Sequence, residues 1–260
     1  MARDAVRAGS ATWPWDCVVV DEVQDLTCVG LQLLHGLVGD GSDGLTLVGD
    51  GQQAIYPGGC TLSEAGISVA GRSTVLDLNY RNGSEILRRA VSDYGEGTFE
   101  DLDTIPERTD RAVRPARPGG EVIEVSAHDA ASQQMALIAR VESLLARGAR
   151  HGDIAVLVAS NAAAARWQAA LVRAGHPAIL LSAYQGRPLD AVKVGTFDRG
   201  KGLDFAHVLI PDRDHTLGGR RRGESDNAQG ERAERERRRL FVAMTRARDS
   251  LWLATVIPGR

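Results

Sequence analysis

Lysine is almost missing from this chain: among 260 residues only Lys193 and Lys201 occur, against 31 basic residues in all. Cysteine is scarce too. Cys17, Cys28 and Cys60 are odd in number and lack CxxC spacing, which argues against a disulfide framework and against a zinc site. No apolar run approaches the roughly 20 residues that a bilayer-spanning helix needs, so no membrane partner is expected. The opening residues, MARDAVRAGSATWPW, hold no apolar core of a secretory leader, and the cytoplasm is the expected compartment. A net charge of −3 does not advertise nucleic-acid binding. Base is instead concentrated near the end, at residues 220–222 and across residues 232–248.

What remains is an ordinary globular composition, 43% hydrophobic and 25% charged, with length for one large domain or two modest ones. The organising stretch is Cys17 to Asp25, CVVVDEVQD. Cys17, Val18, Val19 and Val20 form an apolar, β-branched run of the kind found in buried parallel strands. Asp21 and Glu22 follow at its C-terminal end, the edge where open α/β sheets bind ligands. Two adjacent carboxylates there suit a Mg²⁺–nucleotide site, one acid holding the metal and the next polarising a water.

The rest of the chain alternates in the same way. A helix is expected from Thr27 to Val38, with Val29, Leu33, Leu34 and Leu37 on one face and Thr27 as N-cap. A second strand, Leu45 to Val48, runs into the Gly-rich GDGQQAIYPGG. A third, Arg72 to Leu78, is followed by Asn79, Tyr80, Arg81 and Asn82, then by a helix from Ser84 to about Tyr94. Residues 95–120 read as a loop or lobe junction. Then come a strand at Glu121 to Ser126, and a helix from Ala130 to Gly148 carrying Met135, Ile138, Val141, Leu144 and Leu145 on one face. A strand at Ile154 to Val158 and a helix from Asn161 to Gly175 follow. Further strands are expected at Val192 to Phe197 and His207 to Pro211, a mobile loop over residues 212–230, a helix from Glu231 to Arg246 and a strand at Leu251 to Val256. The alternation predicts an α/β fold with parallel sheets and flanking helices, in two lobes that meet near Leu76.

Chemistry-capable residues follow the strands: Asp21 and Glu22, then Asp50 and Gln53, then Tyr80 and Arg81, then Lys201 and Asp204. Thr245, Arg246 and Arg248 close a late helix. Taken in order, DEVQD, LVGDGQQAIY, LNYRN, VGTFDRGKGLDF and ERRRLFVAMTRA resemble motifs II to VI of superfamily 1 DNA helicases of the UvrD/Rep type. The resemblance runs from about residue 17 to about residue 253 and implies a RecA-like P-loop NTPase architecture. Residues 1–76 would be a remnant of the first motor lobe and residues 77–260 the second lobe, with a flexible loop at 212–230. It also implies ATP and Mg²⁺ as cofactors, single-stranded DNA or DNA junctions as partners, and 3′–5′ translocation. By position, Asp21 and Glu22 would serve the metal, Glu22 being also the base for the attacking water. Gln53 would couple the γ-phosphate to DNA. Tyr80 would stack on adenine, Arg81 touch the γ-phosphate, Asp204 stand near the ribose, and Arg246 act as an arginine finger.

Two departures stand out. Asp198 occupies a place where the family commonly has histidine, and Pro57, Gly58 and Gly59 replace the usual aromatic–Arg–Gly after the motif III tyrosine. The phosphate loop GxxxxGK[ST] is also missing. Gly195 to Gly202, GTFDRGKG, imitates it, but Gly202 stands where the metal-binding Ser/Thr belongs, and Leu203 to Ile210 reads as a strand instead of the required helix. The expectation is therefore a truncated helicase chain that hydrolyses ATP poorly alone. The alternatives are a non-catalytic helicase-like module that binds DNA or a partner, or half of a split motor whose phosphate-loop lobe comes from another chain.

Overall fold

The computed structural model describes residues 15–38, 43–50, 60–94, 98–100, 106–108, 114–213, 223 and 225–257. In chain order the strands are β1 (Val18–Val20), β2 (Leu45–Leu47), β3 (Leu78–Gly83), β4 (Thr98–Glu100), β5 (Pro106–Arg108) and β6 (Arg114–Arg117). They continue with β7 (Glu121–Ala127), β8 (Ile154–Val158), β9 (Ala178–Leu180), β10 (Val192–Thr196), β11 (Phe205–Ile210) and β12 (Ala247–Val256). The helices are α1 (Cys28–Val38), α2 (Ser84–Tyr94), α3 (Ala130–Ala146), α4 (Asn161–Arg173), the short α5 (Phe197–Gly200) and α6 (Asp226–Met244). Two compact units result, residues 1–76 with 96–111, and residues 77–95 with 112–260.

In the first unit β1 and β2 pair in parallel, Val18 opposite Leu45 and Val20 opposite Leu47, with α1 as the crossover. A small core of Val20, Val23, Leu31, Leu62, Ala65 and Ile67 holds them together. Thr27 accepts the Gly30 amide through Oγ1, as an N-cap does. The buried face of α1 centres on Leu31, however, and Val29 is 58% exposed, so the apolar face expected from Val29 is rotated. The unit also contains the antiparallel β4–β5 pair, inside the stretch expected to be a loop.

Cys28 and Cys60 are joined as a disulfide with Cα atoms 5.0 Å apart, which corrects the expectation drawn from cysteine number and spacing. Spacing reports local motifs only. Here the pair is brought together by α1 packing against the residues that follow 59, at a sequence separation of 32.

The second unit is built on a six-stranded, all-parallel sheet in the order β7-β12-β11-β8-β10-β9, a mixed α/β arrangement with helices flanking the sheet. Both faces are covered. Along β8, Ala155 and Leu157 join one core with Ile86, Phe197, Leu240, Phe241 and Met244. Ile154, Val156 and Val158 join the other, with Leu137, Val141, Trp167 and Leu171. The period of two thus delivers every residue of IAVLV to one apolar layer or the other, which is why the run is continuous. Asp129 caps α3, accepting the Ser132 amide, while Ser132 Oγ accepts the Asp129 amide.

Three expectations fail from residue 72 onward. Arg72 to Asp77 form no strand; β3 begins at Leu78 and pairs with β6, whose sequence RPAR carries no apolar pattern. In α3 the inward face is Gln133, Leu137, Arg140, Val141 and Leu144, while Met135 is 65% exposed. Helix α6 starts at Asp226, five residues before the expected Glu231, inside the stretch expected to be a loop; Ser225 caps it. Among the described residues no helix is long and apolar enough to cross a membrane.

Candidate functional site

Strand β1 delivers Asp21 and Glu22 at its C-terminal end, with Asp21 exposed and Glu22 half-buried. Glu22 sits in the left-handed region, φ 52° and ψ 42°, a conformation that costs a non-glycine residue about 1 kcal/mol or more. Local bonds fix it. The Glu22 amide donates to Asp21 Oδ1 at 2.8 Å, and the Val23 amide donates to the Val48 carbonyl at 3.0 Å. Gln24, which the sequence reading passed over, is buried and satisfied at both ends of its amide. Its Nε2 donates to Glu22 Oε2, and its Oε1 accepts the Asp50 amide at 3.1 Å. One side chain therefore ties the acidic end of β1 to the residues leaving β2. Gln53 lies outside the described residues. Carboxylate oxygens suit Mg²⁺, which keeps waters and takes one or two protein acids, so Asp21 and Glu22 fit that ion.

In the second unit the segment LNYRNG forms β3 with a register irregularity between Asn79 and Gly83. Asn79 Oδ1 accepts the amides of both Arg81 and Asn82 at 2.9 Å. Asn82, 1% exposed, donates Nδ2 to the carbonyls of Thr245 at 2.9 Å and Ala247 at 2.6 Å. The two asparagines clamp a bulge at its ends, and Tyr80 and Arg81 stand out from it, Tyr80 at 72% exposure. Gly83 is required at its foot, because a Cβ there would lie 2.5 Å from the Gly119 carbonyl oxygen.

Arg117 on β6 reaches the same bulge. It donates to the Arg81 carbonyl at 2.8 Å and to Asp249 Oδ1 at 2.6 Å. Asp249 also lies 3.9 Å from Arg248, and Arg248 pairs with Asp204 at 3.6 Å. Tyr80, Arg81, Arg248 and Asp204 are therefore linked in one surface array, at the N-terminal edge of β11 and β12. Two residues of the array, Arg117 and Asp249, carried no sequence signal: Arg117 falls in the polar stretch read as a junction.

Arg246 is not in this array. It is 1% exposed, with Nε donating to the Val242 carbonyl at 3.0 Å and Nη1 lying 3.5 Å from the Leu203 carbonyl. Its cation sits on the last carbonyls of α6, where a helix C-terminus favours positive charge. Arg248, two residues on, is the exposed one. Lys193 is likewise committed to the fold. Its Nζ donates to the carbonyls of Gly152 at 2.9 Å and Leu189 at 2.8 Å, and burial pushes its pKa down.

The phosphate-loop imitation resolves into capping and turn. Thr196 caps the four-residue α5, Gly202 adopts φ +76°, and β11 follows instead of a long helix. Asp198 in that segment grips Arg239 of α6 fork to fork, Oδ1 to Nε at 2.9 Å and Oδ2 to Nη2 at 2.5 Å. Arg239 also donates to the Ala159 carbonyl at 3.2 Å.

The chain matches no protein-family model and no curated protein. Among solved structures it is similar to the C-terminal domain of a possible DNA helicase from Lactobacillus plantarum WCFS1. Identity is 17% and the TM-score 0.47, with 68% of this chain and 88% of that one covered.

Proposed function

We propose that this chain is a helicase-like module of the UvrD/Rep type that handles ATP with Mg²⁺ and engages single-stranded DNA. The observation that carries the reading is the array around the bulge: an exposed tyrosine and an arginine, joined through Arg117 and Asp249 to Arg248 and Asp204. An aromatic face for a base, cations for phosphates and a carboxylate for a ribose are the groups a nucleotide calls for. The array's position supports an auxiliary role. It lies at the N-terminal edge of the parallel strands, whereas open α/β sheets hold their own ligands at the C-terminal edge. Tyr80 and Arg81 would therefore meet a nucleotide whose main anchor is elsewhere.

In this reading Asp21 holds Mg²⁺ when the ion is bound, and the ion supplies charge neutralisation at the phosphates. Glu22 accepts a proton from the attacking water, its carboxylate oriented by Gln24. Gln53 senses the γ-phosphate. Arg246 acts as a finger only by leaving the carbonyls of Val242 and Leu203; Arg248 already stands beside Asp204. The 260 residues contain no GxxxxGK[ST], so hydrolysis by the chain alone should be weak or absent.

The test pairs binding with turnover. A fluorescent ATP analogue with Mg²⁺ should bind the chain, and Tyr80→Ala and Arg81→Ala should each weaken it. ATP hydrolysis with and without single-stranded DNA should stay near background. Robust turnover abolished by Glu22→Gln would overturn the expectation of weak activity, and nucleotide binding indifferent to both substitutions would overturn the reading. The second reading, a non-catalytic DNA- or partner-binding module, is favoured by the missing phosphate loop and by Pro57–Gly59 in motif III. Its mark is salt-sensitive DNA binding that ignores ATP and Arg246→Ala. A split motor would show itself by a phosphate-loop chain that co-purifies and restores hydrolysis.

A further inference from the structure

We propose that Arg117 is a positioning residue for nucleotide recognition, holding the Tyr80–Arg81 bulge in register with Arg248 and Asp204; this rests on the reading above. The asparagine clamp holds the backbone amides of Arg81 and Asn82, but the Arg81 carbonyl is held by another group. The Arg81 backbone carbonyl accepts a hydrogen bond from Arg117 Nη1 at 2.8 Å. The same guanidinium uses its other terminal nitrogen on Asp249 Oδ1, at 2.6 Å, and lies 3.5 Å from the Arg248 carbonyl.

A planar fork can make these contacts at once, because its donors are fixed relative to each other. The result is a rigid spacer between two chain segments, residues 80–81 and 248–249, that are far apart in sequence and carry the groups assigned to base and phosphate. Asp249 extends the link. It draws on Arg117 and Arg248 together, and Arg248 in turn faces Asp204. Without Arg117 the bulge keeps its asparagine clamp to Thr245 and Ala247 but loses the bond that ties the Arg81 carbonyl to residues 248–249.

The pair is surface-lying, with Arg117 45% and Asp249 39% exposed, so its contribution to global stability is small. That separates a positioning role from a merely structural one. Arg117→Ala in the full chain should leave the melting midpoint nearly unchanged while weakening binding of the fluorescent ATP analogue with Mg²⁺ by about three- to tenfold, the scale of one or two lost hydrogen bonds. Arg117→Lys should not rescue, because an ammonium cannot reproduce the fork. Asp249→Asn should produce a smaller loss. Trypsin cleavage of the Arg81–Asn82 bond, followed by mass spectrometry, should accelerate in Arg117→Ala.

Unchanged affinity in Arg117→Ala, beside a loss in Arg81→Ala, would overturn the positioning role while leaving the nucleotide reading intact. Full rescue by lysine, or a fall in affinity matched by a fall in melting midpoint, would also overturn it. Equal binding by wild type, Tyr80→Ala and Arg81→Ala would fail the nucleotide reading itself, and the role with it.

Discussion

Asn82 is the residue whose removal tests the second unit most directly. It is 1% exposed and makes three side-chain bonds: Nδ2 to the carbonyls of Thr245 and Ala247, and Oδ1 from Asn79 Nδ2 at 3.0 Å. A net contribution of about 0.5–1.5 kcal/mol per bond puts Asn82→Ala at about 2–4 kcal/mol of lost stability. With a urea dependence of about 2 kcal/mol per molar, the unfolding midpoint should fall by about 1–2 M. The assay is urea unfolding followed by the fluorescence of Trp167 and Trp252, both buried in this unit. Asn82→Asp keeps the volume but replaces the donor by a carboxylate facing two carbonyls, so it should lose at least as much. A midpoint shift below about 0.3 M for Asn82→Ala would refute the reasoning. The bulge would then owe its shape to something other than this clamp.

His207 gives a pH prediction. Burial lowers its pKa from the ordinary 6.5, against Asp249 and Asp153, which raise it, while its Nδ1 bonds Ser250 Oγ at 2.9 Å. A lowered folded pKa means that the unfolded chain binds more protons, so stability is present above about pH 6.5 and falls as pH drops through the folded value. His207→Asn should flatten the urea midpoint between pH 7.5 and 5.5; an unchanged slope would count against the assignment. Arg239→Lys should cost about 1–2 kcal/mol in thermal unfolding, because lysine cannot keep the fork on Asp198. A loss within about 0.3 kcal/mol would mean that the fork adds nothing over a point charge. For the Cys28–Cys60 bridge, alkylation under denaturing conditions should modify Cys17 alone before reduction and all three cysteines after it. Closing a loop of 32 residues should stabilise the first unit by about 3–4 kcal/mol, and three reactive thiols before reduction would exclude the bridge.

The strands were legible wherever a run is buried on both sides. IAVLV needs no partner to be recognised, because every position of it is buried. CVVV and LTLV were legible from β-branched and apolar content alone, since Val19 is 67% and Val48 51% exposed. Helix faces were less legible for a specific reason. In α3 the inward face includes Gln133, which donates to the Pro211 carbonyl, and Arg140, which pairs with Glu121 and with Ser250 Oγ at 3.1 Å. Polar residues that are buried because a partner satisfies them are invisible to hydrophobic periodicity, and exposed Met135 then stands in for them. The strand expected at Arg72 to Leu78 failed in the opposite direction. STVL has the composition of a strand, but pairing chose the polar LNYRNG, with the Arg114 amide bonded to the Asp77 carbonyl at 2.8 Å and Arg114 paired with Asp77.

The candidate site residues of each unit, taken separately, show the same division between groups and connectors. Asp21, Glu22, Tyr80, Arg81 and Asp204 could be named from the sequence, because each belongs to a short string of chemically telling residues. Gln24, Arg117 and Asp249 could not, since their importance lies in what they join. Asp198 carries the lesson furthest. Against the motif that the sequence resembles, it reads as a departure from histidine. In the fold it is the acid that satisfies Arg239, a half-buried guanidinium whose other acceptors are Glu236 and the Ala159 carbonyl. A histidine at 198 would offer one neutral acceptor where the fork now finds two charged oxygens, and would leave Glu236 as the carboxylate described against Arg239. The carboxylate at 198 and the arginine at 239 are thus one unit, holding α5 against α6, and the departure at one position is explained by the charge at the other.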